Sequence, residues 1–168
     1  RMCEIKQANS GLCFPSYSIA VSDSKAKEES QEVAHSILSA IESILHQSGL
    51  VLSRRKVIVL GAAGNIGSFL CKHLVNGRLH ETNTDLLQVD SKFHTNGGLH
   101  QYADLEHIPE KELYSRDLFI GVIGKSILQK HHLEKLLLQG DSRRIFFASG
   151  STKTVEFSDL SDWLYELS

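Results

Sequence analysis

The chain has 168 residues, 41% of them hydrophobic and 23% charged, and its 18 Lys and Arg against 20 Asp and Glu leave a formal net charge of −2. That is the size of one domain, able to bury roughly 68–70% of its unfolded surface without a disulfide or metal staple, and too short for a cofactor unit joined to a substrate unit of about 100–200 residues each. The near balance of charge argues against nucleic acid or an anionic membrane as partner. No apolar run approaches the ~20 residues that cross a bilayer and no signal-peptide pattern opens the chain, so a cytoplasmic location is expected. Cys3, Cys13 and Cys71 form no CxxC pair and are expected as reduced thiols, with Cys71 in a helix core. Because Arg1 stands where a starting Met would, a fragment of a longer protein is expected.

Residues 1–23 lack a clear period and are broken by Gly11 and Pro15, which predicts an extended lead-in. Residues 24–168 are expected to form the domain proper. From Ser24 to Ser48 the residues Val33, Ile37, Ile41 and Ile44 recur at helical steps, with Ala34, Leu38 and Leu45 widening the stripe. This predicts a long amphipathic helix with Glu28, Glu29 and Glu32 at its electropositive start and Gly49 in the left-handed position at its end.

Ser53-Arg54-Arg55-Lys56 is a short basic run that reads as the flank of a strand rather than a polyanion site. The apolar, β-branched run from Lys56 to Leu60 predicts that strand, covered on both faces. Gly61 to Gly67 follow, and then Ile66, Phe69, Leu70 and Leu74 continue at helical spacing to Asn76-Gly77. Asp85 to Val89 predicts a second strand closed by Asp90, and Ser91 to Gly98 a polar surface loop. Tyr102 to Tyr114 accommodates a short strand and a short helix opening near Pro109. Asp117 to Ile123 predicts another buried strand, Ile127 to Leu138 a helix stopped by Gly140, and Arg144 to Ala148 a last strand. Strands apolar on both faces, alternating with helices, predict an α/β doubly wound parallel sheet, the Rossmann arrangement, preceded by the long first helix.

One constellation carries chemistry. The glycines follow a predicted strand, open a predicted helix, and are followed 23 residues after Gly67 by an acid that ends the next strand, which is the context of a dinucleotide-binding turn. Gly61 permits the tight turn, Gly64 clears room for a pyrophosphate, and Gly67 lets the helix lie close to the strand. Ala63, Asn65 and Ile66 would then present backbone N–H groups to the phosphates at the positive end of the helix. Asp90 would accept the adenosine ribose hydroxyls and repel a 2′-phosphate, favouring NAD over NADP, with Lys92 tempering that preference. Topology brings Ile123, Gly124, Ser149 and Gly150 to the same sheet edge, facing the nicotinamide. The spacing is GxxGxxG, which malate dehydrogenases, short-chain reductases and epimerases share.

Three further segments, in order, resemble the NAD-binding domain of S-adenosylhomocysteine hydrolase. They are Phe14-Pro15 with Ser24 to Ser30 before the long helix, Asp117 to Gly124 with the helix around His132-Leu133-Glu134, and Val155-Glu156-Phe157-Ser158 with Trp163-Leu164. The resemblance spans most of residues 14–168. It implies NAD binding and an active-site role for Lys27, with Glu29 standing where the family has Asp and Ser30 where it has Asn. In the last turn Ser149 and Thr152 stand where the family has Asn and His. The family reaction opens with hydride transfer from a ribose carbon to NAD and needs proton-shuttling groups there, for which Lys27 and Glu29 are the catalytic candidates. The plainer reading of Lys27 is a solvated, protonated lysine at a helix start.

No metal site is expected. Adjacent His131 and His132 should point apart from a helix, and His94, His100 and His107 are loop-spaced, so solvated histidines are expected. GxSxG, Walker and HExxH motifs are absent. The functional expectation is an NAD-binding domain whose substrate domain lies outside this chain. The alternatives are a non-catalytic regulatory module that uses its first helix to form a homo-oligomer, such as a dimer, and a short-chain reductase or epimerase, although no Tyr is followed by Lys at four residues.

Overall fold

The computed structural model describes residues 25–78, 85–93, 100–138, 144–151 and 155–166. The expected lead-in over residues 1–23 lies outside them, as do Cys3, Cys13, His94, Gly140, Thr152 and Lys153. Among the described residues five parallel strands form one sheet: β1 Val57–Leu60, β2 Leu86–Val89, β3 Gln101–Tyr102, β4 Leu118–Gly121 and β5 Phe146–Ser149, in the order β3-β2-β1-β4-β5. Among the described residues the α-helices are α1 Ser30–Gln47, α2 Asn65–His73, the one-turn α3 Glu110–Leu113, α4 Lys130–Leu138 and α5 Ser158–Glu166. The fold is therefore the Rossmann-like α/β sheet that the alternation of apolar strands and helices predicts.

Side chains alternate across the strands, so the sheet builds two cores. Val57 and Val59, with Leu86, Leu118 and Ile120, pack on one face with α1 and α2. Ile58 and Leu60, with Leu87, Val89 and Phe119, pack on the other with Leu133 and Leu136 of α4 and Leu160 of α5. All four residues of β1 are buried, as a central strand covered on both faces requires.

The strands are shorter than the apolar runs that predict them. At the amino edge the reason is a side chain: Asp117 accepts the Lys56 N–H at 2.8 Å and pairs with the Arg55 guanidinium at 2.9 Å. Arg55 thus joins the starts of β1 and β4, which agrees with reading the basic run as a strand flank.

Helix α1 begins at Ser30, after a π-helical turn Lys25–Glu29, and not at Ser24. Its end is as expected: Gly49 has φ +71°, its N–H donates to the His46 carbonyl at 3.0 Å, and the Leu50 N–H donates to the Leu45 carbonyl at 2.8 Å. These paired bonds close the last turn. Its buried stripe is Ser30, Ala34, Leu38, Ile41 and Leu45, while Ile44 is exposed. The apolar face is rotated relative to the Val33–Ile37–Ile41–Ile44 stripe because small Ala34 lets the helix settle against α2 and the sheet. That face is used inside the chain. Helix α4 likewise starts at Lys130, leaving Ile127 and Leu128 in the segment before it, and Leu137 and Leu138 are exposed.

Candidate functional site

Strand register sets the site. Leu60 lies level with Val89 and with Gly121, and Gly121 with Ser149, so Gly61, Asp90, Val122 and Gly150 form a row just beyond the carboxyl edge. In the order β3-β2-β1-β4-β5 the chain reverses direction across the sheet between β1 and β4, and the crevice at that switch is where open α/β sheets take ligands.

Two of the glycines, Gly61 and Gly67, are required by the geometry of the turn itself. Gly61 has φ +93°, and a Cβ there would lie 3.0 Å from the Val122 and Ile123 backbone. A Cβ on Gly67 would lie 2.0 Å from the Gly61 carbonyl oxygen, so α2 sits against the strand end only because position 67 has no side chain. Gly64 is less constrained: a Cβ would meet only the Gly61 oxygen, at 3.2 Å, a tight contact that a shift of a few tenths of an ångström relieves. Asn65, Ile66 and Gly67 form the first turn of α2, whose N–H groups have no acceptor within the helix. With the helix dipole they make an electropositive cradle.

Asp90 closes the turn from the β2 side. Its Oδ2 accepts the Ala63 N–H at 3.1 Å and its Oδ1 the Lys92 N–H at 3.0 Å. A carboxylate offers about four lone-pair sites, so capacity is left for further donors. Asp90 also lines a cavity of about 410 Å3 together with Val89, Ser91, Ile123 and Lys125, a volume in the range of small-molecule sites.

On the β4 and β5 side the organiser is a residue that the sequence did not single out as functional. Glu156, fully buried, accepts hydrogen bonds from Ser149 Oγ at 2.5 Å, Ser151 Oγ at 2.7 Å and the Gly124 N–H at 3.1 Å. Burial pushes its carboxyl up, but the Ser149, Ser151 and backbone hydrogen bonds outweigh that and hold its pKa below the usual value. A Cβ on Gly121 would lie 2.7 Å from the Glu156 Cβ, so glycine there admits the acid over the strand. Gly124 has φ +73°, and the Gly150 N–H donates to the Gly121 carbonyl at 2.7 Å. Ile123, Gly124, Ser149 and Gly150 are thus brought to one edge, as expected, and held there by Glu156. In the sequence it stands in the Val155-Glu156-Phe157-Ser158 segment, whose pattern does not tell a buried acid from a solvated one.

Lys27 and Glu29 are both exposed on the turn before α1, and the lining of the 410 Å3 cavity includes neither. Cys71 is buried as expected, and burial pushes its thiol up to about 12. The histidines depart from expectation. His131 and His132 do not diverge: their ring centroids are 3.8 Å apart, and both face Glu106. Residues next to each other in the first turn of a helix have side chains long enough to bend toward one acid on a neighbouring segment. His132 is buried rather than solvated, and burial, with His131 beside it, holds its pKa below the ordinary value.

No protein-family model, curated protein or solved structure matches the chain.

Proposed function

We propose that the chain is a dinucleotide-binding domain that takes NAD, with the cofactor-domain role that the resemblance to S-adenosylhomocysteine hydrolase implies. The observation that carries this reading is the Asp90 carboxylate held against the glycine turn by the Ala63 N–H while lining the 410 Å3 cavity at the switch of the sheet. The first-turn amides of α2 would receive the pyrophosphate, the free lone pairs of Asp90 the adenosine ribose hydroxyls, and Val89 and Ile123 would supply apolar wall for a base. A bound nicotinamide supplies hydride acceptance and donation. The chain's own contribution is to position it: Gly124 and Gly150 bring backbone to that edge, and Glu156 fixes both loops. No proton-transfer role is assigned to Lys27 or Glu29, which lie on the turn before α1.

Calorimetric titration of the full chain with NAD, NADH and NADP tests this. One NAD per chain is expected, with NADP weaker because Asp90 would face its 2′-phosphate. Asp90→Ala should weaken NAD by about tenfold or more, the equivalent of one or two hydrogen bonds to a charged acceptor. Gly64→Ala, which asks the Gly61 oxygen to give by only a few tenths of an ångström, should leave the melting temperature within a few degrees and weaken NAD as well. Absence of binding by NAD and NADH in the folded chain would end this reading.

A further inference from the structure

Beside the nucleotide crevice, the far wall of the same cavity carries a group that the dinucleotide reading does not use. Glu106 Oε1 lies 3.4 Å from His131 Nε2 and 3.2 Å from His132 Nε2. Among the described residues this is the group of three whose ligand atoms all fall within 4.8 Å of one another. The edge of a tetrahedron whose centre lies about 2.0–2.1 Å from each corner is about 3.3 Å, so both spacings are those of ligands sharing one ion. The His132 side chain is only 5% exposed, and its Nε2, turned toward the Glu106 carboxylate at 3.2 Å, makes no well-aligned hydrogen bond.

We propose that Glu106, His131 and His132 bind one divalent transition-metal ion of the zinc class. Two imidazoles and one carboxylate form a borderline donor set that suits zinc better than magnesium or calcium, which prefer all-oxygen shells. Three protein ligands leave one tetrahedral position open, and Glu106 and His132 both line the cavity, so that position is within reach of a ligand's oxygen or nitrogen. The elements explain the geometry: α4 presents the two histidines from its first turn, and Glu106 comes from the turn between β3 and α3.

Loading requires one rearrangement. The Gln129 N–H donates to His132 Nδ1 at 3.2 Å, so the neutral ring carries its proton on Nε2. An ion at Nε2 requires that proton to move to Nδ1, through solvent, and the Gln129 contact to be released. One long hydrogen bond is exchanged for coordination to two nitrogens and an oxygen.

The test is a calorimetric titration of the full chain with zinc alone, without nucleotide, repeated with cobalt(II) to read tetrahedral coordination from its visible absorption. One ion per chain is expected, and Glu106→Gln and His131→Ala should each weaken it at least about 100-fold, since each removes one of three ligands. Both positions are exposed, so these variants should keep the wild-type circular dichroism and melting curve. Imidazole nitrogen NMR should show His132 passing from the Nε2–H to the Nδ1–H tautomer on loading. Failure to bind one zinc, or zinc binding unchanged in both variants, would overturn the site. Asp90→Ala leaves all three ligands in place, so weakened NAD with zinc retained is the expected result for that variant. A wild-type chain that binds zinc but not NAD counts against the nucleotide reading alone, and one that binds NAD but not zinc against the metal site alone.

Discussion

Gly67→Ala is expected to be the most damaging single-carbon change at the site. The added methyl would lie 2.0 Å from the Gly61 carbonyl oxygen and 2.9 Å from the Ala62 Cα, both backbone atoms, so no side-chain rotation relieves it. Helix α2 must move off the end of β1, which opens the core around buried Leu70 and Leu74. An overpacked contact against backbone costs about 3 kcal/mol or somewhat more, a large share of the ~5–15 kcal/mol that holds a domain together. The melting temperature should fall by about 10 °C or more. Thermal unfolding followed by circular dichroism, with Gly64→Ala as the control, measures it. An alanine at 67 tolerated as well as one at 64 would show that the helix does not depend on this approach.

Removing the Glu156 carboxylate is expected to have the second largest effect. Three donors from two loops converge on it. Glu156→Ala should cost about 3 kcal/mol or more, from the charged hydrogen bonds lost, the donors left buried and the space opened. Glu156→Gln should cost less, because the serine hydroxyls can turn to accept from the amide. The pH dependence separates charge from shape. The folded pKa lies below the ordinary 4.5, so the unfolded chain takes up the proton first as pH falls. The stabilisation from the ionised carboxylate is therefore fully present above about pH 4.5 and lost as pH falls through the lower folded value. The stability gap between wild type and Glu156→Gln should be widest near neutrality and narrow below that value. Denaturant titrations at pH 7, 5 and 3.5 would show it, and a gap independent of pH would mean that Glu156 acts by packing alone.

Both residues sit where the sequence was unevenly informative. Gly67 was legible because a glycine at that distance after an apolar strand marks a helix turned back onto the strand end. The requirement is local: seven residues carry the chain from Gly61 back to within contact of it. Asp90 was legible for the same reason, as the acid closing the next apolar run. Glu156 was not, because nothing in a single acidic residue after a polar turn distinguishes a solvated side chain from a buried one. Its burial follows from Gly121, which lies 35 positions earlier and leaves room above β4. The same limit applied to His131 and His132, where helix periodicity predicts divergent directions and an acid on another segment reverses the prediction.

What the amino-acid order determined by itself was the alternation of strand and helix, the two-sided burial of β1, the glycine turn and the left-handed close of α1. These depend on residue type over a few neighbouring positions: β-branched runs favour pleated backbone, glycine alone relaxes at positive φ, and period sets the buried face. The parallel register, the sheet order, the rotation of α1 onto its Ala34–Leu38–Ile41–Leu45 stripe, the capture of Glu156 by two loops and the meeting of Glu106 with two histidines were decided only in the tertiary structure. Each joins segments far apart in the chain, where the energy comes from packing and hydrogen bonds between groups that no local pattern places together.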